Sequence, residues 1–215
     1  MLKIYGSDLS SPSNKVRLTA NALGLKYEYI RVNLREGEHK KPEFLKLNPV
    51  GKIPAIDDDG FTLFESGAIV RYLADKNNSA LYPRNLKERA VVDAWFEFIG
   101  HHVNLAMSKV VFNRLFAPRM KTPVDEQSLK DGLTWLDRFL PIVDNQIGSN
   151  PFVMGKTMTI ADINLLSVLD PAEVANIDIS KYQNIVRWRN ALRQKDFYTK
   201  CHKEYGERLK QPTGK

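Results

Sequence analysis

Three short stretches of this chain carry residue types that could do chemistry. The first is Gly6-Ser7-Asp8-Leu9-Ser10-Ser11-Pro12-Ser13-Asn14-Lys15-Val16-Arg17. Proline suits the first helical position, so Pro12 marks a helix start with Ser11 as its expected cap. Ser10 then stands just outside, its hydroxyl over the positive end of the helix, where an anion gains from both. The same serines also fit a plain polar capped loop. The second stretch is Asn48-Pro49-Val50-Gly51-Lys52-Ile53-Pro54-Ala55-Ile56. A proline heading an apolar run cannot donate to a sheet ladder, so Pro54 belongs at an edge, turn or bend. The N–H and C=O of Ile53 are then free to pair with an extended peptide ligand, as a sheet edge pairs with an added strand. The third is Glu65-Ser66, a carboxylate and a hydroxyl at a helix start, beside backbone N–H groups that favour an anion. That corner suits a group carrying both an ammonium and a carboxylate.

The elements that must position these stretches follow from periodicity. Leu2 to Tyr5 reads as a strand, Val16 to Leu25 as a helix stopped by Gly24, and Tyr27 to Val32 as an alternating second strand. Together they make a right-handed strand-helix-strand unit. A short helix over Lys41 to Leu47, paired strands around Ile53 and Leu63, and a helix from Ser66 to Lys76 complete the order β-α-β-α-β-β-α. Residues 1–77 therefore form an α/β domain with a small mixed sheet of four strands. Residues 78–86 have linker composition, and over 87–215 strand patterns vanish in favour of an all-helical domain. There, Val91, Trp95, Phe98, His102 and Leu105 recur at helical steps, as do Leu129, Leu133, Leu136, Leu140, Val143 and Ile147. Two long amphipathic helices packed antiparallel are expected. Thr159 and Asp162 fit a capping box, a purely structural device. Helices over Tyr182–Leu192 and Phe197–Leu209 follow, and Gln211 to Lys215 reads as a loose tail.

Composition narrows the function. With 215 residues the chain is long enough to bury a core without staples, and no apolar run nears the roughly 18 residues of a membrane span. The start Met1-Leu2-Lys3-Ile4-Tyr5 enters a strand pattern with no signal-peptide architecture, so a cytoplasmic location is expected. The single cysteine, Cys201, excludes an internal disulfide and a Cys-x-x-Cys pair, so any thiol chemistry must use the ligand's thiol. The net charge of +7 is spread over helix surfaces without blocks of like charge, which points away from nucleic acid. His101 and His102 are adjacent and do not share a helix face, and Cys201-His202 lacks partners, so no metal site is expected.

In this order, the serine-proline loop, Gly37-Glu38-His39-Lys40-Lys41, the Asn48-Pro49 to Ile53-Pro54 run, Glu65-Ser66 and the Thr159–Asp162 box resemble the cytosolic glutathione transferases over nearly the whole chain. The resemblance is nearest to the serine-type theta, delta, phi and zeta classes. It implies a thioredoxin-like domain followed by a helical one, a cis Ile53–Pro54 bond, a homodimer and a part in detoxification, with glutathione as co-substrate. Carried over position by position, it makes Ser10 the donor to the glutathione sulfur and Ile53, ahead of Pro54, the backbone partner of the cysteinyl unit. Glu65 and Ser66 would hold the γ-glutamyl ammonium and carboxylate, and His39, Lys40 and Lys52 the glycine carboxylate. An electrophile pocket between the domains would be lined by Leu9, His102, Leu105, Ser108, Lys109 and Phe112. Three departures matter. Gly67 stands where many delta- and phi-like members have arginine, Pro12 stands where the zeta class has cysteine, and the beta- and omega-type cysteine near Ser10 is missing. The expected activity is conjugation of glutathione to electrophilic apolar substrates. The alternatives are a zeta-like glutathione-dependent cis-trans isomerase, acting as a maleylacetoacetate isomerase does, and a non-catalytic binding scaffold.

Overall fold

The structure, a computed structural model, describes residues 1–207 and divides into two compact units. One comprises Met1–Tyr82 together with the described residues from Lys195 on, and the other is Pro83–Gln194. The division falls inside the expected linker, but residues 195–207, expected with the helical domain, group with the sheet.

Among its described residues the first unit runs β1 (Leu2–Gly6), α1 (Ser11–Ala22), β2 (Tyr27–Arg31), a 3-10 turn at Glu38–Lys40, α2 (Pro42–Leu45), β3 (Ala55–Asp58), β4 (Phe61–Phe64) and α3 (Ser66–Lys76). The sheet order is β2-β1-β3-β4, with β1 parallel to β2 and both other pairings antiparallel. This is the expected α/β unit with a mixed four-stranded sheet. Ile4 and Ile56, opposite each other in the two central strands, are fully buried, as are Val16 and Leu18 of α1 and Ile69 and Leu73 of α3.

The start of α1 corrects the expected cap. The helix begins at Ser11, Pro12 is its second residue, and Ser10 is the capping residue. Proline is tolerated at either of the first two positions because neither N–H has an intrahelical partner, so its position alone left the cap one residue uncertain. At the other end Gly24, at φ +68°, donates to the Asn21 carbonyl while Leu25 donates to that of Ala20, which ends the helix as expected.

The second unit is helical throughout its regular structure: α4 (Leu86–Phe98), α5 (Asn104–Val111), α6 (Ala117–Met120), α7 (Glu126–Ile147), α8 (Ile160–Leu169) and α9 (Gln183–Arg193). Wide i→i+5 turns at Ile99–Val103 and Phe112–Phe116 join α4, α5 and α6 into one run. Gly132 of α7 sits against α5, where a side-chain carbon would come within 2.9 Å of the Ala106 carbonyl and 2.8 Å of Val110, so glycine permits the close approach. The stripe read on α7 is buried at Leu136, Leu140, Val143 and Ile147. The stripe read on α4 and α5 is not the core face: Val91 and Leu105 are about half exposed, and Val92, Phe96, Ile99 and Val103 are buried in their place.

Beyond α9, a single turn, α10 (Asp196–Thr199), stands at the start of the longer helix expected over Phe197–Leu209, and turns and bends follow it as far as residue 206; Arg208 and Leu209 lie outside the described residues. The expected tail at Gln211–Lys215 lies outside the described residues.

Candidate functional site

Register gathers the three chemically suggestive stretches at one end of the sheet. Tyr5 pairs with Ala55 and with Ile30, and Ala55 pairs with Phe64. That row is followed in β1 by the Ser7–Ser10 loop, preceded in β3 by Ile53–Pro54, and followed in β4 by Glu65–Ser66. The chain leaving β2 turns at the same end into the loop that carries His39 and Lys40.

Ser10 is half-buried at the head of α1. Its Oγ accepts a hydrogen bond from the Ser13 N–H at 3.3 Å, which uses a lone pair and leaves the hydroxyl able to donate its proton. Its N–H donates to the Ser7 carbonyl at 3.0 Å and its carbonyl accepts from Asn14 at 2.9 Å, so the residue is fixed on both sides. Ser13 is buried, its Oγ accepting from the Ser7 N–H at 3.3 Å, and belongs to the scaffold of the loop.

Ile53 lies two residues ahead of β3, outside the ladder, and the Ile53–Pro54 bond is cis. Its side chain packs against a small core of Val32, Phe44 and Ala55, which anchors it while the backbone stays beyond the strand. Asn48, almost fully buried, shapes the preceding loop by donating to the Lys52 carbonyl and accepting from the Val50 N–H at 3.0 Å. Gly51, at φ +64°, completes the turn, and a side-chain carbon there would come within 3.1 Å of the His39 carbonyl. The loop bearing Lys52 therefore lies against the turn bearing His39 and Lys40. The two lysines are exposed, whereas the His39 Nδ1 is buried without a hydrogen-bond partner among the described residues.

Glu65 is exposed and holds φ +67°, a backbone region that side-chain-bearing residues seldom adopt and that gathers at functional sites. Ser66 is the first residue of α3, and its Oγ lies 3.4 Å from the Lys15 ammonium. Lys15 is 92% removed from solvent, within the run Ser13 to Ala20 that is buried without a break. Neither the loop role of Asn48 nor the approach of Lys15 to Ser66 follows from sequence, since Lys15 is 51 residues from its partner. The one hint is a lysine inside a helix that has no exposed stripe.

Of the other expected residues, Leu9 is half-buried in the first unit. In the helical unit His102, Leu105, Ser108 and Phe112 are exposed and Lys109 half-exposed. The His102 ring packs against Phe98 and Phe139, with centroids 5.2 and 5.1 Å away. The Lys109 ammonium donates to Ser128 at 3.2 Å and lies over the Trp135 ring. Among the described residues no group of three or more His, Cys, Asp or Glu side chains could hold a metal, and no helix is long and apolar enough to cross a membrane.

Comparison with known proteins gives a consistent picture. Residues 2–75 match the family model described as glutathione S-transferase, N-terminal domain, and residues 103–196 the one described as glutathione S-transferase, C-terminal domain. Glutathione S-transferase F13 of Arabidopsis thaliana is 34% identical over 167 residues, covering 76% of each chain. The crystal structure of glutathione transferase F2 from Populus trichocarpa superposes with a TM-score of 0.87 at 32% identity, covering 94% of this chain and 97% of that one. A glutathione transferase family member from Pseudomonas fluorescens, solved with two glutathione molecules bound, gives a TM-score of 0.82 at 28% identity, covering 93% and 91%.

Proposed function

This chain belongs to the glutathione S-transferase family and is a glutathione transferase, and from that premise we propose that Ser10 holds the sulfur of bound glutathione as a thiolate for attack on an electrophilic, apolar second substrate. The observation that carries the proposal is the Ser10 hydroxyl, which accepts from Ser13 at the head of α1 and keeps its own proton to donate. The magnitudes suffice. A free thiol titrates near pH 8.5, and lowering that by about two units takes roughly 2.7 kcal/mol. One charge-assisted hydrogen bond supplies about 1.5–3 kcal/mol, and a helix N-terminus up to about 1 kcal/mol.

The remaining roles follow the rim of the sheet. The Ile53 backbone pairs with the cysteinyl unit beside Pro54, and His39, Lys40 and Lys52 receive the glycine carboxylate. Glu65 takes the γ-glutamyl ammonium. Ser66, with the Lys15 ammonium behind it, takes the carboxylate, so Lys15 supplies a cation where Gly67 supplies none. Leu9, His102, Leu105, Ser108, Lys109 and Phe112 are assigned to the electrophile, and the working form is a cytoplasmic homodimer. No residue is reserved for a metal.

The test is a pH titration of thiolate absorbance for bound glutathione, set against free glutathione and Ser10→Ala. The expected result is a bound thiol titrating a unit or more below the free one, with most of that difference abolished by the substitution. An unchanged titration in Ser10→Ala would remove Ser10 from this role.

A further inference from the structure

Resting on the Ser10 reading, we infer that Tyr205 is a positioning residue for the reaction, setting the orientation of the catalytic serine from the far end of the described chain. The loop between β1 and α1 is held by groups distant in sequence. The Tyr205 hydroxyl donates to the Leu9 carbonyl at 2.6 Å, across 196 residues. That carbonyl belongs to the same peptide unit as the Ser10 N–H, which donates to the Ser7 carbonyl at 3.0 Å. One rigid plane is therefore gripped at both edges, and the direction in which Ser10 projects from it is set.

The support behind Tyr205 is built to the same end. It is buried, and Cys201, four residues earlier, accepts from Arg17 at its carbonyl at 2.7 Å. The Arg17 guanidinium also donates to Asp8 at 3.0 Å and lies 4.2 Å from the centre of the Tyr29 ring. Asn14 donates to the Asp8 carbonyl at 2.9 Å, and Asn21 to that of Phe197 at 3.0 Å. Residues 196–205 thus clamp both the outer side of α1 and the loop leading into it. A hydrogen bond to a developing thiolate is sensitive to placement, and a displacement of about 1 Å can cost up to about a hundredfold in rate.

Tyr205→Phe keeps the ring and removes the hydroxyl that donates to the Leu9 carbonyl. Asp8, Arg17, Arg31, His202, Glu204 and Glu207 line a cavity of about 50 Å³ beside the loop, and the substitution alters none of these charges. The full chain is assayed with glutathione and an activated aryl chloride from pH 6 to pH 9, beside the thiolate titration and thermal unfolding. The expected result is a bound thiol that titrates about half to one pH unit higher, and turnover at neutral pH lowered about three- to tenfold but approaching the parent's near pH 9. The glutathione KM should change less than about twofold, and the unfolding midpoint should stay within a few degrees of the parent's. A pH profile superimposable on the parent's would overturn the inference. So would a loss of turnover equal at every pH, which marks general destabilisation. Ser10→Ala in parallel separates the two readings. If it leaves the thiol unchanged, the Ser10 role fails and the inference with it; if it raises the titration and Tyr205→Phe does not, only the inference fails.

Discussion

Helices α1 and α8 both run deep in their units, and they begin in opposite ways. At the head of α1, Ser10 accepts one backbone hydrogen bond and keeps a donor. At the head of α8, Asp162 accepts from the Thr159 N–H, the Thr159 hydroxyl, the Val153 N–H and the Trp188 Nε1, at 2.8 to 3.3 Å. Burial pushes the Asp162 carboxyl above its ordinary range despite those four donors. That carboxylate is occupied by donors of its own unit. A side chain engaged from within serves folding, whereas one that keeps a donor spare can serve a guest.

Removing each cap should break this contrast in a different observable. Asp162→Ala leaves the buried donors of Val153, Thr159 and Trp188 without an acceptor, each costing about 1–3 kcal/mol, so a loss of about 3 kcal/mol or more is expected in urea unfolding. Glutathione turnover per folded molecule should hardly move. Ser10→Ala should do the reverse: kcat/KM at neutral pH falls about ten- to a hundredfold, as one charge-assisted hydrogen bond implies, while stability drops by only about 1 kcal/mol for the lost cap. A large stability loss there with turnover retained would erase the distinction. Lys15→Met keeps the buried stem and removes the ammonium beside Ser66, and steady-state kinetics should show the glutathione KM raised a few-fold with kcat near the parent value.

The smallest effect lies in acid. The Asp137 carboxyl is held below its usual range by a hydrogen bond from Lys181. Burial alone would raise Glu173, but hydrogen bonds from Arg189 outweigh it and hold the carboxyl low. Both folded values lie below the unfolded ones, so this stabilisation is complete above the unfolded carboxylate range and is lost as pH falls through the folded values. The unfolding midpoint should stay level from neutral to about pH 5 and decline below about pH 4. Lys181→Met should soften part of that decline. Asp162 is shifted the other way and adds nothing to it.

How much of this was legible depends on how local each signal was. The bounds of α3, the presence of four strands and the Thr159–Asp162 box rest on neighbours in sequence, and the structure agrees with them, except that the strand expected around Ile53 begins only at Ala55, beyond the proline that cannot donate to the ladder. The inward face of α4 was not legible, because apolar residues come in adjacent pairs: Val91 and Val92, Trp95 and Phe96, Phe98 and Ile99. Each pair offers two stripes of equal quality, and the wide turns at Ile99–Val103 and Phe112–Phe116 then shift the phase of everything that follows. Within the candidate site, Ser10, Ile53, Glu65 and Ser66 stand out because proline and helix-start chemistry mark them locally. Asn48, Lys15 and Tyr205 do not, since their partners are set by the fold.

The grouping of residues 196–205 with the sheet bears on the order in which the molecule can become competent. A ribosome completes β1 to α3 and must then make the whole of Pro83–Gln194 before Phe197, Cys201 and Tyr205 emerge. Until they do, Asn21, Arg17 and the Leu9 carbonyl lack their partners Phe197, Cys201 and Tyr205. The sheet-bearing unit is thus first to be started and among the last to be finished, so a nascent chain bearing only Met1–Tyr82 has its sheet before it has the contacts that brace the β1–α1 loop.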